Sequence, residues 1–205
     1  MSLAEYLAIE QELVRTVQEP TFFTWIAPPT VIYGHHQSAE AEVNEVFCRE
    51  HGIAVVQRKS GGGCVYADRG NLMISYIEPK NTEYRVQNTD AFGRFLEMLK
   101  EMLQSVGLEA VTTSHNDILI GGRKVSGCAC FKAPTGTIVH GTLLYDVDIE
   151  TMMKAITPSS QKLTKHGVES VRQRVVNIRE LTDRFASIED LQSYVTEHLA
   201  ARKDD

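Results

Sequence analysis

The residue types most able to do chemistry in this sequence gather around three consecutive glycines at positions 61–63. These lie in a polar stretch, 57–71, between two β-rich runs at 53–56 and 72–77. Glycine packs no side chain and loses the most backbone entropy on folding, so a triplet between buried strands suggests an unusual bend or a close ligand. A row of backbone N–H groups suits a phosphate or a carboxylate. Three polar side chains that fit the same ligand precede the triplet: Arg58, Lys59 and Ser60. The alternative interpretation is a plain strand–turn–strand with a flexible tip.

A second candidate is Lys124, which follows a predicted hairpin turn at Gly121 and Gly122. A lysine held against a phosphate loop could neutralise charge that develops on a phosphoryl group. Asp117 opens the same hairpin, and its carboxylate could hold Mg²⁺. Both have ordinary alternatives, because hairpin lysines are usually solvated and aspartate is common where a strand begins after a turn. Other small or polar residues fall in the same part of the sequence: Asn116, Ser126, Gly127, His140, Gly141 and Thr142.

The segments that must position these residues follow from hydrophobic periodicity. Helical spacing predicts helices over 3–17, 40–51, 88–106 and 148–155, and a last helix opened by a capping box of Ser187 and Asp190. Strands are predicted at 22–26, 30–34, 53–56, 72–77, 117–125 and 137–147. Because strands and helices do not alternate strictly, we expect an α/β protein of the α+β kind, with a mixed, largely antiparallel sheet and packed helices.

Composition indicates an ordinary globular domain. The 205 residues are 42% hydrophobic and 23% charged, which fits one domain over 1–205. The formal net charge of −6 argues against binding to nucleic acid or anionic membranes. No stretch reads as a membrane span or a signal peptide. The four cysteines lack a disulfide spacing, which favours a reducing cytoplasm, and Cys128 and Cys130 are expected to be small apolar strand residues rather than a metal pair.

Eight short segments, taken in order, resemble the biotin/lipoate protein ligase family, and specifically a lipoate–protein ligase catalytic domain. Each segment is weak alone, but together they extend over nearly the whole chain. They are 7–12 (LAIEQE), 29–34 (PTVIYG) with Gln37 and Asn44, 58–66 (RKSGGGCVY), Gly70 with Asn71, Asn116 with Asp117, 122–127 (GRKVSG), 140–144 (HGTLL) and 167–177 (GVESVRQRVVN).

The resemblance implies a two-step reaction that uses ATP and Mg²⁺, with lipoate as substrate. The lipoate carboxylate attacks the α-phosphate of ATP and gives lipoyl-AMP and pyrophosphate. A lysine amine on a lipoyl domain then attacks this mixed anhydride and forms an amide. Because no covalent enzyme intermediate is required, alignment and a fixed cation would carry catalysis. The dithiolane tail would need an apolar tunnel.

The resemblance also implies a role for each matching residue. Lys124 is the implied catalytic residue, in contact with the lipoyl carbonyl and the phosphate. Asp117 is the implied Mg²⁺ ligand and lines the adenylate side together with Asn116. The other residues implied to bind nucleotide or acyl-adenylate are Arg58, Ser60, Gly61, Gly62, Gly63, Cys64, Val65, Tyr66, Ser126, Gly127, His140, Gly141 and Thr142.

The implied acceptors are lipoyl domains of 2-oxoacid dehydrogenase complexes or the glycine cleavage H protein. Seven Lys or Arg against three acids between positions 154 and 184 could steer such acidic partners. The resemblance further implies that an accessory C-terminal domain is absent and that a separate accessory chain is a candidate partner. Two other functions stay open. One is an ATP-independent octanoyl or lipoyl transferase of the same fold that uses a cysteine thioester, and the other is a non-catalytic protein that binds lipoate or its adenylate.

Overall fold

The computed structural model describes residues 1–80, 90–113, 116–156 and 174–201, which form two β-sheets with packed helices. The strands are β1 Thr21–Ile26, β2 Thr30–Tyr33, β3 Ala54–Gln57, β4 Val65–Ala67, β5 Asn71–Pro79, β6 Ala110–Thr112, β7 Asp117–Ile120, β8 Arg123–Ala133 and β9 Gly136–Leu144. The helices are α1 Leu3–Thr16, α2 Ala39–Glu42, α3 Glu45–Glu50, α4 Ala91–Ser105, α5 Ile149–Ala155 and α6 Ile188–Ala201, with a 3₁₀ turn at Ile178–Glu180. The predicted fold class is confirmed.

The larger sheet has the order β1-β5-β9-β8-β7-β6 and is antiparallel throughout. Strand β5 is buried on both faces, since successive side chains of a strand point to opposite sides. Leu72 and Ile74 pack in the core that includes α4 and α6, whereas Met73 and Ile77 pack in clusters that include α1. The sheet is therefore a layer between α1 and the α4–α6 pair.

Helix α4 forms where its periodicity predicts. Phe95 and Leu99 on its apolar stripe are completely buried, and each such side chain stabilises the fold by about 1.5–3 kcal/mol. The Asp90 side chain caps the first turn by accepting a hydrogen bond from the Gly93 N–H at 3.0 Å. Gly107 follows the helix with a φ of +83°, a conformation that favours glycine.

The predicted capping box of the last helix is also present. The Ser187 Oγ accepts a hydrogen bond from the Asp190 N–H at 3.1 Å, and the Asp190 carboxylate accepts one from the Ser187 N–H at 3.1 Å. This reciprocal pair satisfies two backbone donors at the start of α6.

The helix predicted over 40–51 is wrong in one respect, because the chain forms two short helices, α2 and α3. Between them Val43 is extended and makes an antiparallel bridge with Ile156. Asn44 then begins α3, and its side chain accepts a hydrogen bond from the Phe47 N–H at 3.2 Å. A tertiary contact here overrides a locally helical pattern.

The surroundings of the glycine triplet also differ from expectation. The strand predicted as buried at 53–56 is β3, an exposed edge strand of the three-stranded sheet β3-β2-β4. It pairs in parallel with β2, and Val55 stays 37% exposed. The unpredicted strand β4 follows the triplet and pairs with β2 antiparallel. The triplet thus lies in the connection between β3 and β4, the two outer strands of the small sheet.

Among the described residues, no helix is long and apolar enough to cross a membrane. All four cysteines are free. Cys128 lies in the main core and Cys130 packs against it, which confirms the expectation that they are small apolar strand residues.

Candidate active site

Arg58 holds the glycine loop from the inside. It follows β3 directly and is only 6% exposed. Its Nη2 donates to the carbonyl oxygens of Gly61 at 2.8 Å and Gly63 at 2.7 Å, and its Nη1 donates to that of Ile32 at 3.2 Å. Burial lowers the pKa of the guanidinium, and no carboxylate of the described residues acts on it. The loop carbonyls are thus tied to a buried cation whose charge no described carboxylate neutralises.

The N–H groups of the triplet, unlike the carbonyl groups of Gly61 and Gly63, have no hydrogen-bond partner among the described residues. Within the described ranges, the backbone N–H groups of Gly61, Gly62 and Gly63 donate to no protein acceptor. Gly62 has a φ of +91°, and a Cβ on Gly34 would lie 2.5 Å from the Gly62 carbonyl oxygen. Only glycine at both positions permits this approach. Consecutive free N–H groups beside a buried cation form a site for an anion.

A β-bulge determines where Lys124 points. In the β7–β8 pairing Asp117 lies opposite Gly127, but Leu119 lies opposite Lys124, so the register shifts between them. Residues 124 and 127 of a regular strand would face opposite sides. The extra residue in the bulge places both on the face that carries Asp117.

The Asp117 carboxylate holds the lysine amine on that face, and two hydrogen bonds hold the lysine backbone. The Lys124 Nζ lies 2.8 Å from the Asp117 Oδ1, and a Cβ on Gly127 would come within 2.7 Å of it. The Lys124 N–H donates to the Arg174 carbonyl at 2.6 Å, and the Lys124 carbonyl accepts from the Val176 N–H at 3.0 Å. The side chain is 37% exposed, so a bound ligand can reach the amine.

Neighbouring strands support this face through short polar contacts. The Asn116 Nδ2 donates to the Cys128 carbonyl at 2.8 Å, and the Cys128 N–H donates to the Asn116 carbonyl at 3.0 Å. The Gly127 N–H donates to the Thr142 Oγ1 at 3.4 Å. These bonds connect β7, β8 and β9 beneath the lysine.

The glycine loop and Lys124 open into one cavity. Besides its polar groups, the cavity is lined by Leu7 of α1, Trp25 of β1, Ile32 of β2 and Met73 of β5. These four side chains belong to one apolar cluster. A cation, free N–H groups and an apolar wall therefore share one space, which suits a ligand with an anionic group and a hydrocarbon chain.

Most of the predicted site residues lie on this lining. They are Arg58, Gly62, Gly63, Cys64, Val65, Asn116, Lys124, Gly127, His140, Gly141 and Thr142. Asp117 reaches the lining through its ion pair with Lys124, and Ser60 through a 2.7 Å hydrogen bond between its Oγ and the His140 Nε2.

Three predicted residues lie off the lining. The Gly61 carbonyl is bound by Arg58, Tyr66 packs in the core of the small sheet, and Ser126 is completely buried opposite Ile118. Their roles in ligand binding remain predictions.

Apart from Val65, the purely apolar lining residues were not predicted as site residues. They are Leu7, Trp25, Ile32, Met73 and Ala129, to which Cys128 is added as a thiol. The single tryptophan was the one visible signal, because Trp combines a large apolar surface with a polar N–H. Nothing in the sequence linked it to a loop more than thirty residues later.

Neither thiol on the lining is activated. Burial, followed by the nearby Glu42, raises the pKa of Cys64 to about 12 despite the opposing effect of Arg58. Burial raises the pKa of Cys128 to about 12 as well. Since the thiolate is the nucleophilic form, the cavity walls supply no reactive cysteine near neutral pH.

The glycine loop and the partly exposed Lys124 thus face one cavity beside the antiparallel sheet, and comparison with known proteins shows the family to which this arrangement belongs. The model of the lipoyl protein ligase A/B catalytic domain family matches residues 2–200, and the chain belongs to this family.

Two relatives illustrate the similarity. The chain is 34% identical over 200 residues to the lipoate-protein ligase LplJ of Bacillus subtilis, covering 97% of this chain and 59% of that protein. It is 35% identical over 191 residues to lipoate–protein ligase 1 of Staphylococcus aureus, covering 92% of this chain and 57% of that protein. The chain thus spans somewhat under three fifths of the length of these relatives.

Solved structures share the fold. A bipartite lipoate protein ligase from Thermoplasma acidophilum, studied with its E2 lipoyl domain, has a TM-score of 0.80 at 23% identity and covers 96% of this chain and 77% of its own. A lipoate-protein ligase A bound with ATP has a TM-score of 0.78 at 24% identity, covering 95% and 78%.

Proposed function

We propose that this chain is the catalytic domain of a lipoate–protein ligase. It joins the carboxylate of lipoate to the α-phosphate of ATP with release of pyrophosphate, and it transfers the lipoyl group to a lysine amine of a lipoyl domain. The observation that carries the proposal is that the Lys124 amine and the N–H groups of Gly62 and Gly63, which donate to no acceptor among the described residues, line one cavity with an apolar wall. The names of the relatives point to the same activity.

The cavity lining divides the substrate into two parts. Leu7, Trp25, Ile32 and Met73 would pack on the dithiolane and its hydrocarbon chain, because an apolar wall gains most from such a group. The glycine loop would receive the phosphate, and Lys124 would bridge the acyl carbonyl and the phosphate. A fixed cation and fixed dipoles stabilise developing charge without reorganisation during the reaction.

Mg²⁺ would enter with the nucleotide. No group of three or more His, Cys, Asp or Glu in the described ranges is arranged to hold a metal by itself. Mg²⁺ in nucleotide sites is commonly held by one or two carboxylates together with substrate phosphates and water. Asp117, beside Lys124 on the cavity face, fits the part of the single protein carboxylate. The ion would neutralise phosphate charge there.

The cysteine-dependent transferase is the weaker candidate. It requires a thiol that ionises near neutral pH, whereas burial raises the pKa of both lining thiols to about 12. A non-catalytic binder would use the same cavity and the same cation, so the exchange assay below distinguishes it from the ligase.

We infer that the acceptors are lipoyl domains of 2-oxoacid dehydrogenase complexes or the glycine cleavage H protein, and that the protein acts in the cytoplasm. A separate accessory chain is a further candidate partner, supported by the bipartite ligase of T. acidophilum. The basic stretch gives less support than its sequence suggests. Lys154 pairs with Glu150 and Arg179 with Asp146, and 157–173 lie outside the described residues.

The test is exchange of labelled pyrophosphate into ATP with pure protein, lipoate and Mg²⁺. We expect lipoate-dependent exchange that Lys124→Ala abolishes, followed by a lipoyl mass increase on an added lipoyl domain. Acyl transfer that needs no ATP and that a Cys64→Ser or Cys128→Ser change abolishes would replace the ligase with the transferase. Tight lipoate binding without exchange, with or without candidate partner chains, would leave only a binding protein.

A further inference from the structure

Helix α1 carries a buried carboxylate that the proposed reaction does not use. Glu10 is 1% exposed and faces the larger sheet. Its Oε1 accepts a hydrogen bond from the Ser75 Oγ at 2.6 Å, and the Ser75 Oγ accepts one from the Trp25 Nε1 at 2.9 Å. Its Oε2 lies 3.1 Å from the His140 Nδ1. A buried carboxylate is costly unless it is paired, so this arrangement needs a reason.

The hydrogen-bond chain ends at the glycine loop. On its other side the His140 ring contacts Ser60, with 2.7 Å between Nε2 and Oγ. Ser60 is 2% exposed and immediately precedes the triplet, and its carbonyl accepts a hydrogen bond from the His35 N–H at 3.0 Å. The loop is therefore connected to the interior of the sheet through one histidine.

The direction of each bond follows from the chemistry of the groups. An ionised carboxylate only accepts, so a His140 tautomer with its proton on Nδ1 donates to Glu10. In that tautomer Nε2 is the acceptor, and the Ser60 hydroxyl donates to it. Ser60 thus donates to His140, and both His140 and Ser75 donate to Glu10. The Ser60 hydroxyl proton therefore points away from the ligand cavity.

We propose that Glu10 and His140 are positioning residues that fix the orientation of Ser60 and, with it, the glycine loop. The inference rests on the proposed function only for its effect on catalysis. The order Ser–His–Glu matches that of a hydrolytic triad, but Ser60 is too buried to attack a substrate. The hydrogen bonds from Ser60 through His140 to Glu10 instead anchor a glycine-rich loop that has no side chains of its own to hold it.

The first test is spectroscopic and does not depend on activity. The ¹⁵N spectrum of the histidine rings, with His140 assigned by a His140→Gln variant, is expected to show a protonated Nδ1 and an unprotonated Nε2. The Ser60→Ala change removes a hydroxyl on the other side of the ring from Glu10 and should leave this tautomer intact. Glu10→Gln should lose the pure Nδ1–H form. A protonated Nε2 in the unchanged protein would overturn the proposal.

The second measurement follows the loop. Heteronuclear NOE values of the Gly61–Gly63 amides should fall in Glu10→Gln and stay unchanged in Glu12→Gln, which removes an exposed carboxylate from the same helix. Equal values in the two variants would contradict the proposal. Melting temperatures of both variants separate loop motion from global loss of structure.

Pyrophosphate exchange tests whether the hydrogen bonds from Glu10 to Ser60 affect catalysis. We expect Glu10→Gln and Ser60→Ala each to lower the exchange rate about tenfold, and the double variant to lose little more, because both act through one path. Additive losses would contradict a shared path. If the unchanged protein shows no exchange, the proposed function fails, and the tautomer and loop measurements still decide the positioning role.

Discussion

Two arginines of this protein, the buried Arg58 and the partly buried Arg94, have opposite surroundings. Arg94 of α4 donates through Nε and Nη2 to the Glu78 carboxylate, which also accepts from the Tyr76 hydroxyl at 2.9 Å. Although burial alone lowers it, the hydrogen bonds and charge of Glu78 raise the pKa of Arg94 overall. Burial lowers the pKa of Arg58, which bonds only carbonyl oxygens.

This difference distinguishes a charge that contributes to the stability of the fold from a charge that is available to a ligand. A buried cation that meets its carboxylate inside the fold is neutralised and can only stabilise or destabilise the fold. A buried cation that meets carbonyls, beside free N–H groups and a cavity, leaves a positive potential for a ligand. We therefore expect changes at Arg58 to alter catalysis and changes at Arg94 to alter stability.

The largest effect is expected for Arg58→Lys. A lysine keeps the charge but cannot make the forked bonds to Gly61, Gly63 and Ile32. The loop would lose its geometry, and misplacement by about 1 Å can cost about a hundredfold in rate. We expect a loss of that size in lipoate-dependent pyrophosphate exchange. An exchange rate within a factor of two of the unchanged protein would remove Arg58 from the account.

Arg94→Met is the matched change in the other environment. It leaves the Glu78 carboxylate buried without its cation, which typically costs about 3 kcal/mol of unfolding free energy. Urea denaturation should show this loss, while the exchange rate per folded molecule stays the same. Unchanged stability with reduced exchange would reverse the roles assigned to the two arginines.

A smaller effect is expected for Gly127→Ala. Its Cβ would lie 2.7 Å from the Lys124 Nζ, and the end of a flexible lysine can move away. The fold should lose under about 1 kcal/mol, whereas exchange should fall about tenfold because the amine is displaced from the reacting face. An exchange rate within a factor of two of the unchanged protein would contradict the claim that the Lys124 amine must lie against Gly127.

The smallest effect concerns the buried thiols. The pKa of Cys128 rises from an ordinary 9.0 to about 12, so the folded protein keeps a proton that the unfolded chain loses. The resulting stability is complete below pH 9 and is lost as the pH rises towards 12, at about 1.4 kcal/mol per pH unit. When the pH is raised from 8 to 10, the melting temperature should fall less in Cys128→Ala than in the unchanged protein. An equal fall would argue against a shifted thiol.

The sequence predicted the elements whose signals are local. The stripe of α4, the capping box of Ser187 and Asp190, and the hairpin at Gly121 and Gly122 all appear where periodicity and turn chemistry place them. Both turn glycines have positive φ values, as a tight hairpin requires.

What the sequence could not give depends on distant partners. The break in the 40–51 helix follows from a bridge between Val43 and Ile156. The aim of Lys124 follows from a bulge, which no periodicity reveals. The attachment of Ser60 to Glu10 through His140 joins positions up to 130 residues apart. The sequence thus indicated the chemical groups of the site, whereas strand register and burial determine their geometry.

The most direct test of the account is a titration of ¹⁵N-labelled protein with a non-hydrolysable analogue of lipoyl-AMP. We predict that the amide signals of Gly61, Gly62 and Gly63 and the Lys124 amine signal shift together as the analogue binds. Binding that leaves these four signals unchanged would contradict the claim that the loop and the lysine enclose the acyl-phosphate.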